Sequence, residues 1–246
     1  MCIRDSSRVS LFTALGFALL PLASGFFMVV LKDPEMARRV GLISAKARII
    51  AGSADWPTYL GMLTQAVAAG GIVLFGFIGS WVFGREYSDR TAKDLLALPT
   101  ARSTIVLAKF VVVAIWSVAL TALIFLIGLG VGAAVGLALA SSSAMLQGGI
   151  SIALAACLTI ALVTPVAFFA SAGHGYLAPI GFVFLVLLLA QVIAAAGWGE
   201  YFPWSIPILY AQGDRLGWIS FVIVVTTSIV GIAGTLAWWE FADQTH

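Results

Sequence analysis

KFVVVAIWSVALTALIFLIGLGVGAAVGLALASSSAMLQGGISIALAACLTIALVTPVAFFASAGHGYLAPIGFVFLVLLLAQVIAAAGWGE, residues 109–200, begins at Lys109, ends at Glu200 and holds no Asp, Glu, Lys or Arg at the 90 positions between them. No soluble core of this size needs so long an uncharged run, so the solvent it implies is a lipid bilayer. The whole chain agrees: 61% of its residues are hydrophobic, 10% are charged, and the mean hydropathy is +1.07. Hydrocarbon offers backbone N–H and C=O groups no partner, which leaves helices or a closed barrel. Barrel strands alternate apolar and polar residues. Here the apolar runs are continuous and about 20 residues or longer, enough to cross a ~30 Å core at about 1.5 Å per residue. The expected fold is therefore an all-α membrane protein.

Working outward, polar breaks divide the chain into six spans, at about residues 9–31, 59–83, 105–130, 149–170, 177–196 and 218–238, forming one transmembrane domain over 1–246. The first run is long and closely followed by Lys32 and Asp33, which reads as a retained span rather than a cleaved signal peptide. Residues 141–149 and 171–175 read as tight uncharged connections. Residues 1–7 do not continue the apolar pattern and read as a truncated or misassigned gene start. With the N-terminus inside, Lys and Arg divide seven inside to six outside, a margin too small to orient the chain. Residues 37–50, with Arg38, Arg39, Lys46 and Arg48, read either as an amphipathic surface helix or as a solvated loop.

Several chemistries are set aside. A net charge of +2 without a basic block gives no stripe for nucleic acid. His174 lies in a tight loop and His246 is the last residue, so neither a metal cluster nor paired haem ligation is expected. Cys2 and Cys157 are poorly placed to pair, and Cys157 reads as a small packing residue. No serine has a Lys or His partner at a recognisable spacing, so no catalytic residue is expected. Ion-coupled transport needs ionisable groups at membrane depth. Lys109 comes nearest, and its position at the start of the third span reads as snorkelling to the interface. Gln65 and Gln191 either line a pathway or hydrogen-bond between helices. The four-residue spacing of Gly128, Gly132 and Gly136, and the Gly76/Ser80 pair, fit close helix packing within the chain, with a homodimer seam as the other reading.

The dense charge lies in GREYSDRTAKDLLALPTARSTIVLAKF, residues 84–110, which holds eight of the chain's 24 charged residues. Thr91-x-x-Asp94 reads as a capping-box helix start, Leu95 and Leu96 give a short apolar face, and Pro99 limits continuation. The spacing predicts one to two helical turns between the second and third spans, either an interfacial anchor or a docking knob for a soluble partner.

These residues resemble the ABC-2 type transporter permeases, particularly the branch that exports bacitracin and lantibiotics. Glu86, Thr91, Leu95, Leu96, Pro99, Arg102 and Lys109 fall on the family's pattern E-x-x-x-x-T-x-x-x-L-L-x-x-P-x-x-R-x-x-x-x-x-x-K. The likeness extends over nearly the whole chain and includes YFPWSIP at residues 201–207, similar to the family's extracellular gate; the basic amphipathic helix usual before the first span is missing.

The resemblance implies a permease subunit of an ATP-driven exporter in the bacterial cytoplasmic membrane, with both termini in the cytoplasm and a homodimer or paired permease in contact with lipid. It also implies a separate ABC ATPase that carries ATP and Mg, while this chain binds no cofactor. Glu86, Asp89, Arg90, Thr91, Lys93, Asp94, Leu95, Leu96, Pro99 and Arg102 would form the coupling helix and ATPase contact. Lys109 would be the interfacial lysine of the motif, and Pro203, Trp204 and Pro207 the gate. The sequence itself contains no G-x-x-x-x-G-K-[ST] phosphate loop, so the chain is expected to be a transport subunit and not an enzyme. The alternative is a membrane sensor or assembly scaffold that binds a soluble partner through the charged loop.

Overall fold

The computed structural model describes residues 3–33, 54–88, 101–137 and 141–241, whose regular structure is all helical, with no strand among them. The long helices are α1 (Ile3–Lys32), α2 (Trp56–Ser88), α3 (Arg102–Ala134) and α4 (Ser142–Ala161). They are followed by α5 (Thr164–Ala172), α6 (Leu177–Ala195), α7 (Ile206–Gln212) and α8 (Trp218–Phe241), with 3-10 turns at Gly199–Tyr201 and Pro203–Ser205 between α6 and α7. Six segments are long and apolar enough to cross a membrane, α4 and α5 counting together as Ser142–Ala172. Leu146, Ile115, Leu188, Val192 and Val230 are all exposed on the outer faces of these segments, the inverse of a water-soluble protein.

One boundary and one side chain differ from the sequence expectation. Residues 142–149 belong to α4 rather than to a connection, because the Ser141 hydroxyl accepts the Ala144 N–H at 3.2 Å and caps the helix there. Cys157 is not a packing residue. It is free and exposed, on the same outward face of α4 as Ile150 and Leu154.

The chain falls into two compact units, one of Met1–Ala66 with Leu120–Leu154, the other of Val67–Ala119 with Ala155–His246. Within the first, α1 carries Pro21, whose carbonyl accepts a buried hydrogen bond from the Tyr59 hydroxyl at 3.3 Å. Gly128 and Gly132 of α3 face Leu63 and Trp56, so this small-residue row packs inside the chain. Gly136 instead ends α3: at φ +68° it lets the Leu137 N–H reach back to Gly132 O at 3.2 Å, a turn that L side chains resist. The orphaned carbonyls there are met by Lys32, whose ammonium donates to Val135 O and Gly136 O at 2.7 Å each.

Within the second unit the fourth span is broken. Pro165 has no N–H to offer Ala161 O, and the helix tightens at Leu162 and Val163, whose N–H groups donate to Thr159 O and Ile160 O at 3.1 Å each. The Thr164 hydroxyl takes over, lying 2.9 Å from Ala161 O and 3.0 Å from Ser228 O of α8, so a single side chain satisfies the break and ties it to the last span. Gly231 of α8 sits against this point. A Cβ there would lie 2.5 Å from Pro165 N and 2.6 Å from the Thr164 carbonyl carbon, both backbone atoms that cannot swing aside. Gly76 packs against Val183 of α6, and Ser80 returns its hydroxyl to Gly76 O at 2.7 Å, so this pair too serves packing within the chain.

Gly231→Ala should therefore destabilise the protein by about 1–3 kcal/mol through overpacking. Gly61→Ala, whose Cβ would meet nothing within 4 Å, should leave stability unchanged. Thermal unfolding of both variants in detergent checks this, and equal melting temperatures would contradict the packing described.

Candidate functional site

The end of the second unit that adjoins the charged loop is built from the C-terminus of α2, the first turns of α3, the turn between α5 and α6, and the C-terminus of α8. Lys109 is its centre. The ammonium lies 2.7 Å from Glu86 Oε1, donates to Val82 O at 2.9 Å, and stands 5.3 Å from the Phe83 ring centre and 5.2 Å from that of Trp239. The side chains are only 11% and 21% exposed for Lys109 and Glu86, so the pair is largely desolvated. This corrects the snorkelling expectation: in the helical geometry Glu86, near the end of α2, meets the third turn of α3, and the lysine is held there. Glu86 Oε2 is buried without a partner among the described residues.

Trp239 links this pair to α5. Its indole N–H donates to Ser171 Oγ at 3.0 Å, and Ser171 in turn donates to Ala167 O at 2.9 Å. Arg102, the first residue of α3, donates to Trp239 O at 3.1 Å and Glu240 O at 3.3 Å, occupying carbonyls left open at the end of α8. Tyr87 stands edge-on to Trp239 and to His174, with ring centres 6.1 Å and 5.1 Å apart. His174 is exposed, and at φ +50° it forms the turn between α5 and α6 while its ring meets Trp238 at 6.3 Å. It is thus a member of an aromatic cluster, more than the solvated loop residue the sequence implied.

Of the motif residues, the structure brings together Glu86, Arg102 and Lys109. Asp89, Arg90, Thr91, Lys93, Asp94, Leu95, Leu96 and Pro99 lie outside the described residues, as does the 37–50 segment. Tyr87, Ser171, Trp238 and Trp239 were missed by sequence reasoning. The one hint was the Trp-Trp-Glu run at the end of the last span, and nothing in it specifies the partner.

Pro203, Trp204 and Pro207 lie at the opposite end of α6. Pro203 opens the second 3-10 turn, Pro207 is buried in the first turn of α7, and Ser205 Oγ donates to Ala190 O at 3.1 Å. Trp204 is buried against Phe182 and Phe202, with ring centres 5.4 Å and 5.5 Å away. Beside this segment Glu200 and Tyr201 interact, and the carboxylate holds the exposed phenol above its ordinary pKa. Gln65 and Gln191 are both exposed on the surface of the single chain.

A family model described as ABC-2 family transporter protein matches residues 49–191, more than half of the chain. The chain is also similar to a bacitracin transport permease protein, BCRB, of Bacillus licheniformis, with 27% identity over 177 residues that cover 70% of this chain and 85% of that protein. No solved structure matches.

Lys109→Met strands the Glu86 carboxylate in a desolvated site and should cost about 3 kcal/mol. The double variant Glu86→Gln/Lys109→Met removes both charges and should recover most of that loss. Detergent melting curves of the single and double variants measure the difference; additive losses would mean that the two charges do not depend on each other.

Proposed function

The chain belongs to the ABC-2 family of transporter proteins, and from that premise we propose that this multi-pass transport permease is the membrane subunit of an ATP-driven exporter energised by a separate ABC ATPase. The family generally pairs with such an ATPase. What supports the reading here is the convergence of Glu86, Arg102 and Lys109 at the two roots of the charged loop, braced by the end of α8. A loop that takes force from a soluble partner needs anchored roots, since slack there would absorb the displacement.

In this reading residues 91–99 form the coupling helix on the cytoplasmic side of a bacterial cell membrane, with both termini on that side. Leu95 and Leu96 provide the apolar face that docks in a groove of the ATPase, together with Asp89, Arg90, Lys93 and Asp94. Pro203, Trp204 and Pro207 belong to the outer gate. ATP and Mg bind to the partner, and two permease chains complete the pathway. ATPase closure moves the coupling helices, and the packed spans carry that motion as a rigid-body change. Bacitracin is the first probe to try, because the similar permease is named for its transport.

Purified alone, the chain should hydrolyse no ATP, and co-expression with its cognate ATPase should yield a complex that does. Burying a leucine is worth roughly 1.5–3 kcal/mol, so Leu95→Asp or Leu96→Asp should break the complex while membrane expression persists. Lys93→Ala should matter less, a surface ion pair being worth about 0–1 kcal/mol. Pull-down and bacitracin efflux test both; Asp variants that bind and export normally would refute the coupling helix. A complex that forms normally but neither moves bacitracin nor responds to ATP would favour the scaffold reading.

A further inference from the structure

From the second unit we infer that α5 is the transmission element between the charged end and the gate segment, and that the Phe169–Phe182 stack is its working contact; this rests on the permease reading above. Two independent observations carry it. The first is a series of side-chain contacts along the unit. Starting from Lys109, Trp239 holds Ser171 of α5 by its indole N–H, and its neighbour Trp238 meets Phe168 of α5 with ring centres 6.1 Å apart. Phe169 then stacks on Phe182 of α6 at 4.2 Å and 25°, and Phe182 meets Trp204 of the gate segment at 5.4 Å. The closest and most nearly parallel pair of this series joins α5 to α6.

Contiguity alone makes no relay, because any close-packed core offers chains of contacts. The second observation supplies the moving part. α5 is set off from α4 by a tightened turn at Leu162 and Val163, where Pro165 removes one helical hydrogen bond and the Thr164 hydroxyl lies within reach of both Ala161 O and Ser228 O. Nine residues long and fastened at its far end through Ser171, α5 has a hinge at one end and a handle at the other. A shift of Trp239 then tilts α5 about the break, and Phe169 carries the tilt to Phe182 and Trp204. Phe169 and Phe182 are half-buried, but their rings are stacked with centres 4.2 Å apart, so a displacement of one carries the other with it.

The test uses the permease with its ATPase, Cys2 and Cys157 replaced by Ser, and Tyr201→Cys as an exposed reporter beside the gate. The rate of labelling by a membrane-impermeant maleimide is compared with and without Mg-ATP plus vanadate. The parent rate should change on trapping, and Phe169→Leu and Phe182→Leu should each shrink that change by roughly 2- to 30-fold while ATPase binding is kept. The double variant should do no worse than either single one, since both cut the same contact. Val224→Ala, a loss at a more deeply buried position in α8 away from the rings, should keep the parental response. Phenylalanine variants that respond like the parent, or a Val224→Ala that fails as they do, would overturn the inference and leave the permease reading standing. A parent that forms the complex and shows no response to trapping would overturn both.

Discussion

A hydrocarbon core gives backbone polar groups nothing to bond to, and most of the unusual side-chain choices in this protein answer that constraint. Where Pro165 deprives Ala161 O of its partner, the Thr164 hydroxyl stands in. Where α3 and α8 end with open carbonyls, Lys32 and Arg102 reach across from neighbouring helices to fill them. Buried hydroxyls of Thr64, Ser80, Thr159, Ser171 and Thr235 return to the carbonyl four residues back, which keeps polar side chains inside an apolar bundle at little cost. Among the described residues Lys32, Arg102 and also Lys109 are thus engaged by backbone carbonyls, where a count of charges for orientation sees only their sign.

Lys109 answers a different demand. A cation at the edge of the hydrocarbon either escapes to water or is neutralised in place, and here Glu86, a carbonyl and two ring faces hold it. The charge is costly to bury, and what the arrangement gives in return is definition: α2, α3 and α8 have one mutual position at that end.

The six spans were legible because hydrophobic length is a local property; a run such as residues 109–200 states its solvent without reference to anything distant. The positions of Glu86, Arg102 and Lys109 in one end of the bundle follow from the same reading, since they flank one loop. The partners were not legible. Trp239 lies more than a hundred residues from Lys109, and an apolar helix without strong amphipathic bias does not say which face looks inward. Cys157 shows the consequence: in a soluble protein a cysteine within an apolar run packs inward, whereas in lipid the outward face is equally apolar. The break at residues 162–163 had a written signal in Pro165, but nothing in the sequence says that Thr164 and Gly231 pack this turn against the last span. Residues 89–100 lie outside the described residues, so the coupling helix rests on the sequence and its resemblance.

The stretch that matches the family supplies Glu86, Arg102, Lys109, Phe169, Ser171 and Phe182, yet each of the longer connections they make ends beyond residue 191. Arg102 caps carbonyls at 239 and 240, Lys109 faces the Trp239 ring, Ser171 accepts its indole, and Phe182 meets Trp204. In these four cases the matched helices provide one side of the contact and the gate segment or last span the other, while Lys109–Glu86 and Phe169–Phe182 lie wholly within the match. The charged end and the gate segment are bound into one unit by residues on both sides of that boundary. Substitutions in the last span, remote in sequence from the charged loop, therefore act directly on the loop's roots.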